Sequence, residues 1–265
     1  MNVLETDNLT RRFGEFTAVD SLTLNVAAGE IFGLLGPNGA GKTTTIKMLT
    51  TLLPPTGGSA RIGGFDITQQ ASRVRRIIGY VPQMLSADSS LTGYENLLIF
   101  AKLYALPRDT RESNVRRALD FMGLHQASDK LVRNYSGGMI RRLEIAQAML
   151  HAPRVLFLDE PTVGLDPVAR KSVWERIAEL QREHGTTIVL TTHYMEEADA
   201  LCGRVAIMHL GKIVALGAPE ELKNSLNGER VTLDDVFAHY TGAALDEGGN
   251  YRETARTRRT AQRLG

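Results

Sequence analysis

Three short stretches of this 265-residue sequence carry side chains whose type and spacing can do chemistry. The first, Gly33 to Thr44, reads GLLGPNGAGKTT and fits the phosphate-loop pattern without a mismatch. Gly36, Gly39 and Gly41 let backbone N–H groups turn inward where a Cβ would collide or forbid the dihedrals. Pro37, Asn38 and Ala40 complete the loop between them. Those donors, with the positive end of a following helix, suit an anionic phosphate chain. Lys42 can neutralise charge on the terminal phosphates, and the hydroxyl of Thr43, which Thr44 follows, can ligate Mg²⁺. The second stretch, RVLFLDEP, brings four apolar residues up to Asp159 and Glu160. Adjacent carboxylates repel, and a Mg²⁺ ion is the natural counter-charge for Asp159. Strand alternation would turn Glu160 away from its neighbour, free to orient or deprotonate a water. Alone, such a turn is equally well a strand terminus with solvated acids; behind a phosphate loop, the functional reading dominates.

The third stretch, YSGGMIRRLEIAQAML, places Ser136 before Gly137 and Gly138 at the start of a helix with apolar Met139, Leu143, Ile145, Ala146 and Met149. It is a second helix N-terminus stripped of side chains, with a serine either to cap it or to bind an anion. His193 ends the run TTIVLTTH, where a histidine either satisfies a strand edge or senses phosphate.

The elements that must position these residues alternate between short β-rich and longer helical runs, the pattern of a mixed α/β layer fold. Residues 31–35 predict a buried strand and residues 42–53 a helix, ended by Pro54-Pro55-Thr56-Gly57-Gly58. Residues 77–81 predict a strand ending at Pro82-Gln83. Between about residues 91 and 150 the β signal disappears and three segments show helical spacing, as expected of a helical subdomain set into the core. RVLFLDE and TTIVLTTH then return as buried strands, separated by a helix over residues 167–184. After VTLDDVFAHYTG, residues 244–265 hold five arginines and few large apolar groups, the composition of a disordered basic tail.

The bulk numbers agree with a globular chain that buries a core: 43% hydrophobic, 23% charged, net charge +1. Nothing in that balance suggests a nucleic-acid partner. The lone Cys202 excludes an internal disulfide. No window approaches the length of a membrane helix, and the first ten residues do not read as a signal peptide. Membrane contact is therefore expected through a partner.

In order as well as content, these motifs resemble the ATP-binding subunits of ABC transporters, from about Val3 to Leu222. The resemblance implies a P-loop NTPase cassette with a RecA-like α/β core, an antiparallel β subdomain and a helical subdomain over about 86–153. The cassette would span 1–225, with a short C-terminal element at 226–243 and the tail at 244–265. It further implies that Phe13 stacks on adenine and Gly36 to Thr44 hold phosphates. Gln83 would touch Mg²⁺ and sense a transmembrane partner, Asp159 would hold the metal, Glu160 would be the catalytic carboxylate and His193 the switch histidine. Ser136, Gly137 and Gly138 would contact ATP on a second cassette, and Asp166 would make a dimer contact. The cofactors implied are ATP and Mg²⁺, and the partners a second copy and a separate membrane permease, through which the chain would sit peripherally at the cytoplasmic face of the cell membrane.

Three positions depart from the family pattern: Tyr135 and Met139 flank Ser-Gly-Gly where leucine and glutamine are commonest, and Val163 stands at an often small or polar position. Rival phosphate-loop classes lack support. No Asn-Lys-x-Asp guanine motif is present, a P-loop kinase has no need of the Ser136 helix, no long coiled coil splits the sequence, and there is one cassette rather than two. The element VTLDDVF is similar to one near the end of daunorubicin-resistance-type exporter subunits, with Asp234 in place of a glutamate. Export of a drug, lipid or other amphipathic compound is the expectation, ahead of an importer-type or non-transport ATPase.

Overall fold

Runs of consecutive apolar residues can be satisfied only in a strand covered on both faces, and here they form the middle of a parallel sheet. The computed structural model describes residues 1–226 and 231–242. It opens with two long antiparallel strands, β1 (Asn2–Phe13) and β2 (Phe16–Ala27), and continues through β3 (Ile31–Leu35) into α1 (Lys42–Leu49). Strands β4 (Gly57–Ile62) and β5 (Phe65–Asp66) return to the first pair, giving an antiparallel sheet in the order β2-β1-β4-β5. Helix α2 (Ala71–Ile77) and strand β6 (Ile78–Val81) lead into three helices, α3 (Gly93–Leu103), α4 (Arg108–Phe121) and α5 (Gly137–Met149). The chain then runs through β7 (Val155–Asp159), α6 (Pro167–His184), β8 (Thr187–Thr192), α7 (Met195–Leu201), β9 (Arg204–His209), β10 (Lys212–Gly217), α8 (Pro219–Asn224) and α9 (Leu233–Thr241).

The second sheet has the order β10-β9-β3-β8-β7-β6, with every pair from β9 to β6 parallel and β10 antiparallel at the edge. Because side chains alternate along a strand, its two faces feed two cores. Leu35, Leu156, Leu158 and Leu190 pack with the helical segment, α6 and α7. Phe32, Leu34, Phe157 and Val189 pack with α1 and the antiparallel sheet. In an open parallel sheet, loops at the carboxyl ends of the strands gather on one edge. The ends of β3, β6, β7 and β8 carry the phosphate loop, Gln83, Asp159-Glu160 and His193 respectively.

Local signals set several boundaries. Asp166 caps α6 by accepting from the Ala169 amide at 2.9 Å, Pro167 fills the first helical position, and Gly185 closes the helix with φ 61°. Thr92 and Glu95 form a reciprocal capping box on α3, and Thr232 and Asp235 do the same on α9. Helix α9 buries Leu233, Val236 and Phe237, so VTLDDVF is a folded element. The expected tail at 244–265 lies outside the described residues. Two boundaries differ from expectation. Helix α1 stops at Leu49 rather than Leu53, because Thr51 takes φ 63° and the amides of Leu52 and Leu53 both turn back to the Lys47 carbonyl. Ile77 closes α2, so β6 begins one residue later than expected.

Candidate functional site

The phosphate loop is built against the β9–β10 hairpin and strand β2. Gly36 (φ 154°) lies so close to the Met208 carbonyl that a Cβ would overlap it, and a Cβ on Gly41 (φ 107°) would sit 2.5 Å from the Ala18 carbonyl. Both positions therefore exclude a side chain by contact as well as by dihedral. Gly41 is the N-cap of α1 with no side chain capping it. The first-turn amides of α1 thus have no preceding helical carbonyl and no side-chain cap, the arrangement that favours an anion.

Lys42 is buried, and its Nζ donates to the carbonyls of Gly36 (2.7 Å) and Pro37 (3.1 Å). The same ammonium pairs with Glu160 Oε1 at 3.1 Å. Beside it, Thr43 Oγ1 donates to Asp159 Oδ1 at 3.2 Å, and Thr191 Oγ1 donates to the same oxygen at 2.6 Å. The backbone amide of Glu160 in turn donates to Thr191 Oγ1 (2.9 Å) and to the Thr191 carbonyl (3.1 Å). Gln83 Nε2 donates to Glu160 Oε2 at 3.0 Å, and His193 Nδ1 lies 3.4 Å from that oxygen. Lys42, Thr43, Gln83, Asp159, Glu160 and His193 thus meet in one cluster.

Strand alternation does not extend to Glu160. Strand β7 ends at Asp159 and Glu160 takes φ 48°, a left-handed turn that brings both carboxylates to the first turn of α1 instead of opposite faces. Their electrostatics diverge. Burial pushes Asp159 above its ordinary range; the Thr191 and Thr43 hydroxyls only partly offset this, and Glu160 next door adds to it. Burial acts the same way on Glu160, but the His193 ring and the Lys42 ammonium outweigh it and hold that carboxyl below its ordinary value. Burial also lowers Lys42, against the pull of Glu160 and Asp159. The same burial therefore leaves Glu160 favoured as the carboxylate by its partners and Asp159 only partly compensated. Asp159 Oδ2 is buried with no hydrogen-bond partner among the described residues.

That orphaned oxygen, next to a threonine hydroxyl and a loop that cradles phosphates, fits Mg²⁺. The ion is commonly held by one or two carboxylates and by substrate phosphates, with water completing its shell. The glycine cradle and Lys42 fit the phosphate chain itself. Phe13 stands at the outer end of β1, 41% exposed, with the Arg11 guanidinium 4.5 Å from its ring centroid. Strand β2, just beyond that turn, passes the phosphate loop at Ala18.

Ser136 is the N-cap of α5 and accepts from the Met139 amide at 3.3 Å. A Cβ on Gly138 would sit 2.9 Å from Ala169 Cβ, and one on Gly137 3.2 Å from Leu165 Cδ2, so both glycines let α5 approach the start of α6. Among the described residues, the Ser136–Gly138 segment makes no hydrogen bond to the phosphate loop. Met139 packs partly buried against the core, and Tyr135 Oη donates to the Ala127 carbonyl at 2.6 Å. Nothing in the structure explains Val163.

One protein-family model, described as ABC transporter, matches residues 19–163, more than half of the sequence. The chain belongs to the ABC transporter family. A relative in Streptomyces peucetius, the daunorubicin/doxorubicin resistance ATP-binding protein DrrA, is 46% identical over 88% of this chain and 71% of its own length. The Nod factor export ATP-binding protein I of Ralstonia nicotianae is 45% identical over 83% of this chain and 68% of its own length. A solved ATP-binding subunit of an ABC transporter superposes with a TM-score of 0.79 at 29% identity, covering 90% of this chain and 99% of the other. The cassette is accordingly an ATP-binding, ATP-hydrolysing subunit with the α/β fold of that family.

Several residues that shape the site carry weak sequence signals. Thr191 sits inside an apolar strand, where a buried hydroxyl needs a partner; it finds one in Asp159. Glu197 is fully buried and accepts from Thr162 Oγ1 and Trp174 Nε1, both at 2.8 Å. It thereby braces the loop between Glu160 and Asp166 against α6 and α7. The second of two adjacent glutamates in MEEAD is its only mark in the sequence.

Proposed function

We propose that two copies of this cassette close head to tail on ATP and drive a separate membrane permease that exports a drug, lipid or other amphipathic compound. One observation carries the reading: the chain holds a phosphate cradle with its lysine, threonine and carboxylates, and, apart from it, a second helix start that is exposed at Ser136 and Gly137. Each half would be completed by the other cassette. Asp166, exposed on the loop before α6, lies on the proposed dimer contact.

In this mechanism Thr43 Oγ1, Asp159 and Gln83 would hold Mg²⁺, which when bound would neutralise charge on the phosphates. Residues 36–44 cradle the phosphate chain through backbone amides, and Phe13 offers its face to adenine. Lys42, paired with Glu160 at 3.1 Å, has to exchange that carboxylate for phosphate oxygen as nucleotide enters. Glu160 then keeps Gln83 and His193 as neighbours and presents an ionised oxygen to the attacking water. Closure is a population shift, favoured by γ-phosphate contacts that exist only in the closed pair and are lost on hydrolysis.

The permease reading is supported by an apolar surface next to Gln83. Met84 is 82% exposed and Leu85 52% on the loop, and the Asp88 amide ties that loop to Asn96 of α3 at 2.9 Å. Among the described residues no helix is long and apolar enough to cross a membrane. The names of the relatives, drug resistance and Nod factor export, support export over import. The test is a pair of cysteines at Gly39 and Ser136. ATP-dependent cross-linking between chains is expected; a product within one chain would contradict the head-to-tail arrangement.

A further inference from the structure

Arg141 and Glu144 are each only 2% exposed, and they lie one and two turns into α5, the helix that begins at the Ser136 half-site. Arg141 donates through Nη1 to the Pro82 carbonyl (2.7 Å) and through Nη2 to the Gln83 carbonyl (2.8 Å). It also pairs with Glu144 Oε2 at 3.0 Å. Glu144 Oε1 accepts from the Ser86 amide, from Ser86 Oγ (3.1 Å) and from the Ala87 amide (3.3 Å). The two side chains therefore grip the Gln83 loop on both sides of its exposed Met84-Leu85 tip. A buried ion pair is a poor stabiliser, since well-packed apolar residues of similar volume do as well. Apolar residues cannot, however, bind two loop carbonyls and two loop amides. What this pair supplies beyond packing is a fixed geometry between α5 and the loop.

We propose that Arg141 and Glu144 are positioning residues that make α5 and the Gln83 loop move as one body. The placement of Gln83 against Glu160 in one nucleotide site then sets the placement of Ser136–Gly138 toward the other. The inference rests on the head-to-tail reading given above. It assigns the link between half-sites to two buried side chains whose hydrogen bonds run to the Gln83 loop.

The test uses the full chain with the double substitution Arg141→Met/Glu144→Leu, which removes both charges together so that neither is left buried alone. Released, the exposed Gln83 loop can hydrate its freed carbonyls and amides. The expected result is ATP binding to the monomer within about threefold of wild type, together with a kcat at least roughly tenfold lower, as misplaced reacting groups produce. In a Glu160→Gln background, the double substitution should also abolish the ATP-dependent dimer seen by size exclusion. Wild-type kcat and an intact dimer would overturn the proposal. If the double variant does not fold, Arg141→Lys decides, because one lysine cannot reach both carbonyls in Arg's fork geometry. A several-fold loss of kcat at unchanged KM and unfolding temperature supports the clamp, and wild-type kcat overturns it. Glu160→Gln alone is the control for the underlying reading. If that variant hydrolyses ATP at the wild-type rate, the site assignment fails; if it is suppressed while the clamp variants are not, only the clamp fails.

Discussion

Replacing Thr191 by valine removes one hydroxyl from a fully buried residue and leaves its shape. Two hydrogen bonds go with it. The Glu160 amide loses Thr191 Oγ1 at 2.9 Å but keeps the Thr191 carbonyl at 3.1 Å, so it is not orphaned. Asp159 Oδ1 loses the 2.6 Å donor and keeps only Thr43 at 3.2 Å, while Oδ2 already has no partner. A hydrogen bond to a charged group contributes about 1.5–3 kcal/mol. The added methyl returns up to about 0.8 kcal/mol. The net loss is therefore about 1–2 kcal/mol at neutral pH, a fall in unfolding temperature of roughly 2–8 °C for a chain of this size. The pH dependence has a definite sign. Burial already holds Asp159 above the ordinary aspartate value of 3.8, and losing a donor raises it further in the folded state only. The variant's deficit is then complete above its raised folded pKa and shrinks as pH falls through that value toward the wild-type one, where a protonated carboxyl no longer needs the donor. The assay is thermal unfolding across a pH series, with steady-state ATPase at neutral pH, where kcat should fall about tenfold as the metal-side carboxylate loosens. Unchanged unfolding temperature and kcat at neutral pH would refute the reasoning.

Two further experiments probe contacts outside the cradle. Gly93→Ala should lower stability by about 1–3 kcal/mol, because its Cβ would overlap Tyr135 Oη. Adding Tyr135→Phe should recover part of that loss, and strictly additive costs in denaturant unfolding would show that the two sites do not touch. Glu197→Gln keeps an acceptor for Thr162 and Trp174 while removing a charge that burial disfavours. The raised folded pKa of Glu197 gives stability present below its unfolded value, 4.5, and lost as pH rises through the folded value. The glutamine variant should lack that loss and gain on wild type with rising pH; parallel stability curves between pH 4 and pH 8 would contradict it.

The parts of the site legible in the sequence are those where chemistry and local structure use the same residues. Gly36 and Gly41 are needed both to clear neighbouring carbonyls and to open the loop, so the motif and the fold coincide. Asp166-Pro167 and Gly185 bracket α6 by capping rules alone. Glu160 was legible as a residue but not as a geometry, because alternation along a strand says nothing about the residue that turns off its end at φ 48°. Strands β1 and β2 were not individually legible: several register shifts break their alternation, and their outer residues are solvated. Arg141, Glu144 and Glu197 read as ordinary charges on helices, since burial depends on what packs above them and not on spacing. Only the assembled contacts show that each bears on a loop of the site.

The central claim is that one chain's cradle is completed by another chain's Ser136 helix, with Glu160 acting on the water. The most direct measurement is the mass of purified Glu160→Gln protein by light scattering, with and without Mg·ATP, alongside ATP turnover. The account predicts a monomer without nucleotide, a stable dimer with it, and hydrolysis at least about a hundredfold below wild type, as expected on removing a general base. A variant that stays monomeric with ATP bound, or that hydrolyses at the wild-type rate, would contradict it.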